Sequence, residues 1–328
     1  MVQRLLDGGI QTRHISRYIK KLIGQEFSIA VIDWGLYWPE VEFAQSQFNF
    51  SNSDNQVSLA QKQNMVIRGH SLVFPTSSYG IADWVVKGNF TRDQLVEILR
   101  NHISRLVSHY QGKVKEWIVV NEPYISPYRP NDVFYKTLGA NYIEIAFQAA
   151  RETDLSAILI YNDTENHTSA GITTHLTRKN LQLIASKGLV DGVGLQMHLD
   201  GARPPSKSDV VATMKSYDMP VYITEMDVNM QDVAGTQDDR HRIQATIYRE
   251  MLEACLESAV CKSITFWGIG DKYSWGEWPK DAPHVSPNAD MTLFDDYLKP
   301  KPAYYALYEV FSQYVAQKST VTAATSTP

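Results

Sequence analysis

Along the 328-residue chain, short runs of apolar and β-branched residues alternate with longer stretches in which apolar positions recur every three to four residues. Such alternation marks repeated strand and crossover-helix units and a parallel sheet. Eight runs read as strands, at 2–10, 27–33, 65–72, 115–121, 157–162, 192–196, 221–225 and 263–268. The segments 92–109, 141–153 and 239–255 have helical period, as in Leu95, Ile98, Leu99, Ile103 and Leu106, and supply crossover helices. Eight strands joined by crossovers, with no evident internal linker, select an α/β architecture closed into a single (β/α)8 TIM barrel over an open doubly wound sheet. No Gly-x-Gly-x-x-Gly follows the first strand. Barrels of this class fill about 250 residues or more as one unit, so residues 1–316 are expected to form one domain. Residues 317–328 are small and polar and read as a disordered tail or truncated linker.

Composition narrows the partners. A formal net charge of -5 lacks the basic face that a nucleic acid or an anionic membrane needs. No run approaches the roughly 20 apolar residues of a membrane span. The 7 Trp and 18 Tyr supply flat rings with polar rims, suited to the alternating CH and OH faces of sugars or simply to an aromatic-rich core. Cys255 and Cys261, in Cys-Leu-Glu-Ser-Ala-Val-Cys, are too few for a zinc site and wrongly spaced for a redox Cys-x-x-Cys, which leaves a local disulfide open. Sequons at Asn49, Asn89, Asn162 and Asn166 fit a secreted protein whose leader is not in this chain. A monomer is expected.

In a closed barrel the strands deliver their last residues to one rim, so polar groups just after apolar runs are the first candidates for chemistry. Asn121 and Glu122 end one such run, Glu225 another, Gln196 and His198 a third, His70 a fourth and Trp267 a fifth. Alone, each carboxylate reads equally as a solvated strand end, His70 as a structural histidine and Trp267 as packing. Together the two glutamates match the pair that hydrolysis of a glycosidic bond with retention requires. His198 has no second ligand at helical or hairpin spacing, so neither a metal nor an organic cofactor is expected.

The strings Arg-Gly-His-Ser-Leu-Val, Val-Val-Asn-Glu-Pro, Asn-Asp, Gly-Leu-Gln-Met-His, Ile-Thr-Glu-Met-Asp-Val and Phe-Trp-Gly-Ile-Gly-Asp-Lys-Tyr-Ser-Trp occur in an order that resembles glycoside hydrolase family 10, the xylanase family. The resemblance runs from about the first strand to Tyr308. It implies a retaining β-glycosidase, most simply an endo-β-1,4-xylanase acting on a plant cell-wall polysaccharide or its oligosaccharides. Glu122 would be the acid/base, Glu225 the nucleophile and Asn121 a donor to the sugar 2-hydroxyl. His198 would hold the nucleophile, Gln196 and His70 would contact the sugar, and Trp267 and Trp275 would wall it. A disulfide between Cys255 and Cys261 is implied likewise. An exo-acting β-glycosidase and a non-catalytic carbohydrate-binding barrel are the competing readings, and retention of both glutamates speaks against the second.

The chain departs from the family pattern after the second strand. Where the family carries a Glu-Asn-x-x-Lys grouping for sugars on the non-reducing side of the cut, this sequence has Asp33, Trp34 and Tyr37. The family's Trp-His becomes Phe74-Pro75, and Asn-Asp-Tyr becomes Asn162-Asp163-Thr164. An indole cannot reproduce an amide's hydrogen bonds, so an altered distal subsite is expected. Trp34 then reads as a stacking platform, as a plug, or as part of the barrel wall.

Overall fold

The structure is a computed structural model and describes residues 22–75, 80–123, 132–277 and 289–325. The first expected strand, 2–10, lies outside them. Two compact units make up the chain, one running to Asn166 with Gly171–Leu195, the other formed by His167–Ala170 and Gln196 onward.

The first unit carries five strands: β1 (Ile29–Ile32), β2 (Val66–Val73), β3 (Glu116–Asn121), β4 (Ile158–Asp163) and β5 (Gly192–Leu195). Each pairs with the next in parallel. Helices Ser51–Lys62, Arg92–Tyr110, Asn141–Thr153 and Thr174–Ala185 lie between successive strands. Trp117, Ile118, Val119 and Val120 in β3 are all buried, the continuous apolar run expected of a parallel strand covered on both faces. Helix Arg92–Tyr110 opens with a capping box, in which Thr91 and Gln94 satisfy each other's backbone N–H groups. It buries Leu95, Ile98, Leu99, Ile103 and Leu106, the stripe read from the sequence.

Two charged contacts sit inside this core. Arg68 on β2 is fully buried against Glu116 on β3, Nη2 to Oε2 2.6 Å, a pair whose rupture leaves an uncompensated buried charge. His102 stacks on Trp38 with ring centroids 3.6 Å apart, and its Nδ1 lies 2.9 Å from Glu42. Burial lowers the His102 pKa despite that carboxylate.

The second unit carries β6 (His198–Asp200), β7 (Val221–Asn229) and β8 (Cys261–Phe266), with β7 parallel to both others. Helices Lys207–Ser216 and Gln237–Ser258 connect them, the latter capped by Thr236 and Asp239. Cys255, near its end, and Cys261, the first residue of β8, form the expected disulfide. β7 runs four residues past the expected end, because polar Asp227 and Asn229 continue the extended pattern.

The last helix, Pro302–Thr325, departs from expectation. It runs into the segment read as a tail, since no Gly or Pro interrupts it after its first turn and Ala and Gln favour helix. Ala303, Ala306, Leu307 and Val310 are buried, whereas 311–318 are exposed throughout, so this end of the helix lacks the burial that its composition also denied it. Two sequons also resolve. Asn162 and Asn166 are fully buried, with their amides donating to Asn121 and to the Gly194 carbonyl, which removes both as glycan acceptors in the folded chain. Asn49 and Asn89 are exposed.

Candidate active site

In the first unit, the ends of β1, β2, β3 and β4 deliver polar side chains. Asn121 is the last residue of β3 and accepts a 2.7 Å hydrogen bond at Oδ1 from Asn162 on β4. Fixing that amide's oxygen fixes where its NH₂ points. Glu122 follows with φ +47°, a left-handed conformation unusual for a non-glycine residue, held by its N–H donating to the Asn162 carbonyl at 2.9 Å. Asn162 therefore braces both residues of the Asn-Glu pair.

Asp33 follows β1 and is buried, and its carboxylate lies 3.6 Å from Nδ1 of His70, itself 2% exposed on β2. Tyr37 packs beside them, its ring 6.2 Å from those of both His70 and Phe74, and is buried. Trp34 differs. It starts the short 3-10 turn Trp34–Leu36 and is 39% exposed, its ring tilted against Tyr37 at 5.7 Å. The barrel-wall reading of Trp34 is therefore excluded, while Tyr37, at the position of the family's lysine, is largely withdrawn from solvent.

In the second unit, Glu225 and Asp227 are two residues apart on β7 and so face the same side of the strand. Glu225 is 4% exposed, and its Oε2 lies 3.3 Å from Nε2 of His198. The other ring nitrogen, Nδ1, lies 2.9 Å from Asp227 Oδ2, to which the Trp275 indole N–H donates at 2.6 Å. One imidazole thus bridges two carboxylates. Burial alone would lower the His198 pKa, but the charge and hydrogen bonds of Asp227, reinforced by Glu225, overcome it and hold the imidazolium well above its ordinary range. Nearby His167 is driven the other way, down to about 4, by burial and by the His198 charge.

Gln196 is buried, and its backbone carbonyl accepts the Glu225 N–H at 3.1 Å. Trp267 follows β8 and is tied to β7 by its N–H donating to the Met226 carbonyl. With Trp275 it closes over His198, ring centroids at 6.3 and 5.4 Å. Such a set can hold a carboxylate ionised and aimed while flat walls position an apolar ring face. Among the described residues no group of three or more potential ligands could hold a metal ion.

Three supports escaped the sequence reading: Asn162, Asp227 and His167. Asp227 was within reach, since it sits at period two from Glu225 in the strand. Asn162 was seen as a sequon, and only the neighbouring-strand register, Asn121 opposite Asn162, reveals its bracing role.

A model described as Glycosyl hydrolase family 10 matches residues 7–310. Endo-1,4-beta-xylanase B of Thermotoga neapolitana is 32% identical over 300 residues, covering 90% of this chain and 83% of that protein. Endo-1,4-beta-xylanase A of Phanerodontia chrysosporium is 36% identical over 73% of this chain, which spans 58% of that protein's length. The crystal structure of xylanase 10B from Thermotoga petrophila in complex with xylobiose superposes with a TM-score of 0.83 at 31% identity, over 91% of this chain and 90% of that one. The parallel strands and the crossover helices take their place in this likeness: the chain belongs to glycosyl hydrolase family 10 and has its (β/α)8 fold.

Proposed function

We propose that the protein is a retaining endo-1,4-β-xylanase in which Glu225 attacks the anomeric carbon and Glu122 protonates the leaving oxygen. The observation that carries the assignment of roles is the asymmetry of the two glutamates. Glu225 is buried and held by a cationic His198, which orients its carboxylate for attack. Glu122 is half-buried at a strained backbone position, a setting for a group that must exchange its proton with solvent between steps. Attack by Glu225 forms a glycosyl-enzyme ester as Glu122 delivers its proton to the departing oxygen. Glu122 then takes a proton from water, which hydrolyses the ester with a second inversion and net retention.

In this reading the Asn121 amide, oriented by Asn162, donates to the 2-hydroxyl, and His70, Gln196, Trp267 and Trp275 are further sugar contacts. Trp34 and Tyr37 govern the distal, non-reducing side. The disulfide supports action in an oxidising, extracellular setting.

Products from xylan test the proposal. An endo-acting retaining enzyme gives a ladder of xylooligosaccharides whose first-formed ends are β by proton NMR. Xylose alone would mean exo action, an α first product would contradict the nucleophile, and no cleavage of any β-xyloside would leave a binding protein.

A further inference from the structure

The first unit contains another hollow, of about 350 Å³, lined by none of the residues assigned above and at the lower end of the range, about 300–1,000 Å³, of small-molecule sites. Its walls come from residues 42–46, from helix Asp83–Lys87 with the loop after it, and from one face of helix Arg92–Tyr110. The Trp84 indole N–H donates to the Glu42 carbonyl at 3.0 Å, which fixes the ring. Phe90 meets Trp84 edge-on, centroids 6.2 Å apart and planes at 87°. Gly88 backs Phe90 so closely that a Cβ there would fall 2.0 Å from its ring. The result is a fixed corner of two perpendicular aromatic walls.

Around that corner stand polar side chains of a particular kind. Gln94, Glu97 and Asn101 lie three and four residues apart and share a face of their helix. Gln94 accepts the Thr91 N–H at its carbonyl oxygen and keeps its NH₂ available. The side chains of Glu97, Asn101 and Gln45 have no partner among the described residues. Among the described residues no Lys or Arg lines the hollow, so none of them offers an anion a counter-charge. The Glu42 carboxylate is committed to His102 and to the Ser46 N–H, which leaves Glu97 as the one acidic acceptor among the described lining residues, too little for a cation site. Aromatic faces beside amides and a single carboxylate suit a neutral ring with apolar CH faces and hydroxyl edges.

We propose that this hollow is a second carbohydrate-binding subsite, taking one or two neutral pyranose units of a β-xylan chain outside the cleavage site. The inference rests on the xylan reading above. By tethering the polymer it raises the effective concentration of cleavable segments without taking part in cleavage.

The test is a titration of the Glu225→Gln protein with xylotriose, following indole N–H signals by NMR in protein made in a bacterial host and so free of any glycan at Asn89. The Trp84 signal moves saturably, as do those of Trp267 and Trp275. Phe90→Ala and Asn101→Ala, both at exposed or half-exposed positions, weaken the Trp84 response about tenfold, the scale of one lost stacking or polar contact. Placed in the active enzyme, the same variants keep kcat/KM on an aryl β-xyloside within about twofold but slow the degradation of insoluble xylan. A stationary Trp84 signal while Trp267 and Trp275 move overturns the second subsite and spares the function. Movement of Trp84 with spermidine instead of xylotriose overturns it in favour of a cation site. Stationary signals at all three tryptophans overturn both the xylan reading and this site.

Discussion

The surroundings of Glu225 and the surroundings of Trp34 are built to different tolerances. Glu225 is joined through His198 to Asp227 and Trp275 by a 3.3 Å hydrogen bond, a 2.9 Å charge pair and a 2.6 Å hydrogen bond, each buried or half-buried. Around Trp34 and Phe74 the ring contacts are loose, Trp34 tilted against Tyr37 at 5.7 Å and Tyr37 6.2 Å from Phe74, while Asp33 behind them is hydrogen-bonded by His70 and Tyr37. A hydrogen-bonded chain fails when one member changes chemistry, whereas ring contacts accept many shapes. Of the departures from the family pattern, Trp34 and Phe74 fall among ring contacts, whereas Tyr37 also hydrogen-bonds Asp33. On the proposed roles, the surroundings of the nucleophile are tightly specified, while the exposed indole face of Trp34 is free to vary.

The largest effect expected from breaking this comparison comes from Glu225→Ala. Removing the proposed nucleophile should cost on the order of 10³-fold or more in kcat. Its counterpart, Glu122→Ala, should spare activated aryl xylosides and cripple xylan, since a good leaving group needs no proton. Activity of Glu225→Ala within tenfold of wild type, or equal losses of Glu122→Ala on both substrates, would remove the corresponding role.

Next in size is Asp227→Asn, which keeps the shape but withdraws one of the two carboxylates that hold His198. Misplacing the nucleophile's support should lower kcat by about 10²-fold with KM nearly unchanged. A rise in KM alone would instead make Asp227 a substrate contact through Trp275.

How far these features were legible in the sequence follows the same division. Strands β1, β3 and β4 announce themselves because parallel strands buried on both faces are continuous apolar runs, and Glu122 and Glu225 stand out as charges ending such runs. β6, three residues long, carries no periodic signal. The end of β7 was hidden because its inward residue, Asp227, is polar. Asn162 and Asn166 looked like glycan sites, since a triplet says nothing about burial. Trp34 was ambiguous because exposure is set by the turn at Trp34–Leu36, where no period applies.

The raised pKa of His198 gives a smaller effect with a definite sign. The folded chain binds this proton more tightly than the unfolded chain, where imidazole titrates near its ordinary value of about 6.5. The stabilisation is then fully present below that value and disappears as pH rises through the higher folded value. The melting-temperature advantage of wild type over His198→Gln should therefore shrink between neutral and alkaline pH. An advantage that is flat or grows with pH would contradict an imidazolium between Glu225 and Asp227.

The smallest expected effect is also the most informative about specificity. Trp34 is 39% exposed, so Trp34→Ala should barely alter the melting temperature, unlike a core truncation, which costs about 3–5 kcal/mol. An endo-acting enzyme needs a chain on both sides of the cut, and a half-exposed indole beside buried Tyr37 offers a face on which a distal sugar can stack. The substitution should therefore weaken kcat/KM on xylotetraose about three- to tenfold, the scale of one aromatic contact, while an aryl β-xyloside that does not reach this subsite changes less than about twofold. Improvement on the longer substrate would mean that the indole obstructs the cleft, and the same assay on xylobiose and xylotriose would then locate the obstruction by the chain length at which the gain begins. Equal changes on every substrate would mean that Trp34 acts through the position of Asp33 and His70 instead of through a sugar, because only those residues would carry its loss to the reacting ring.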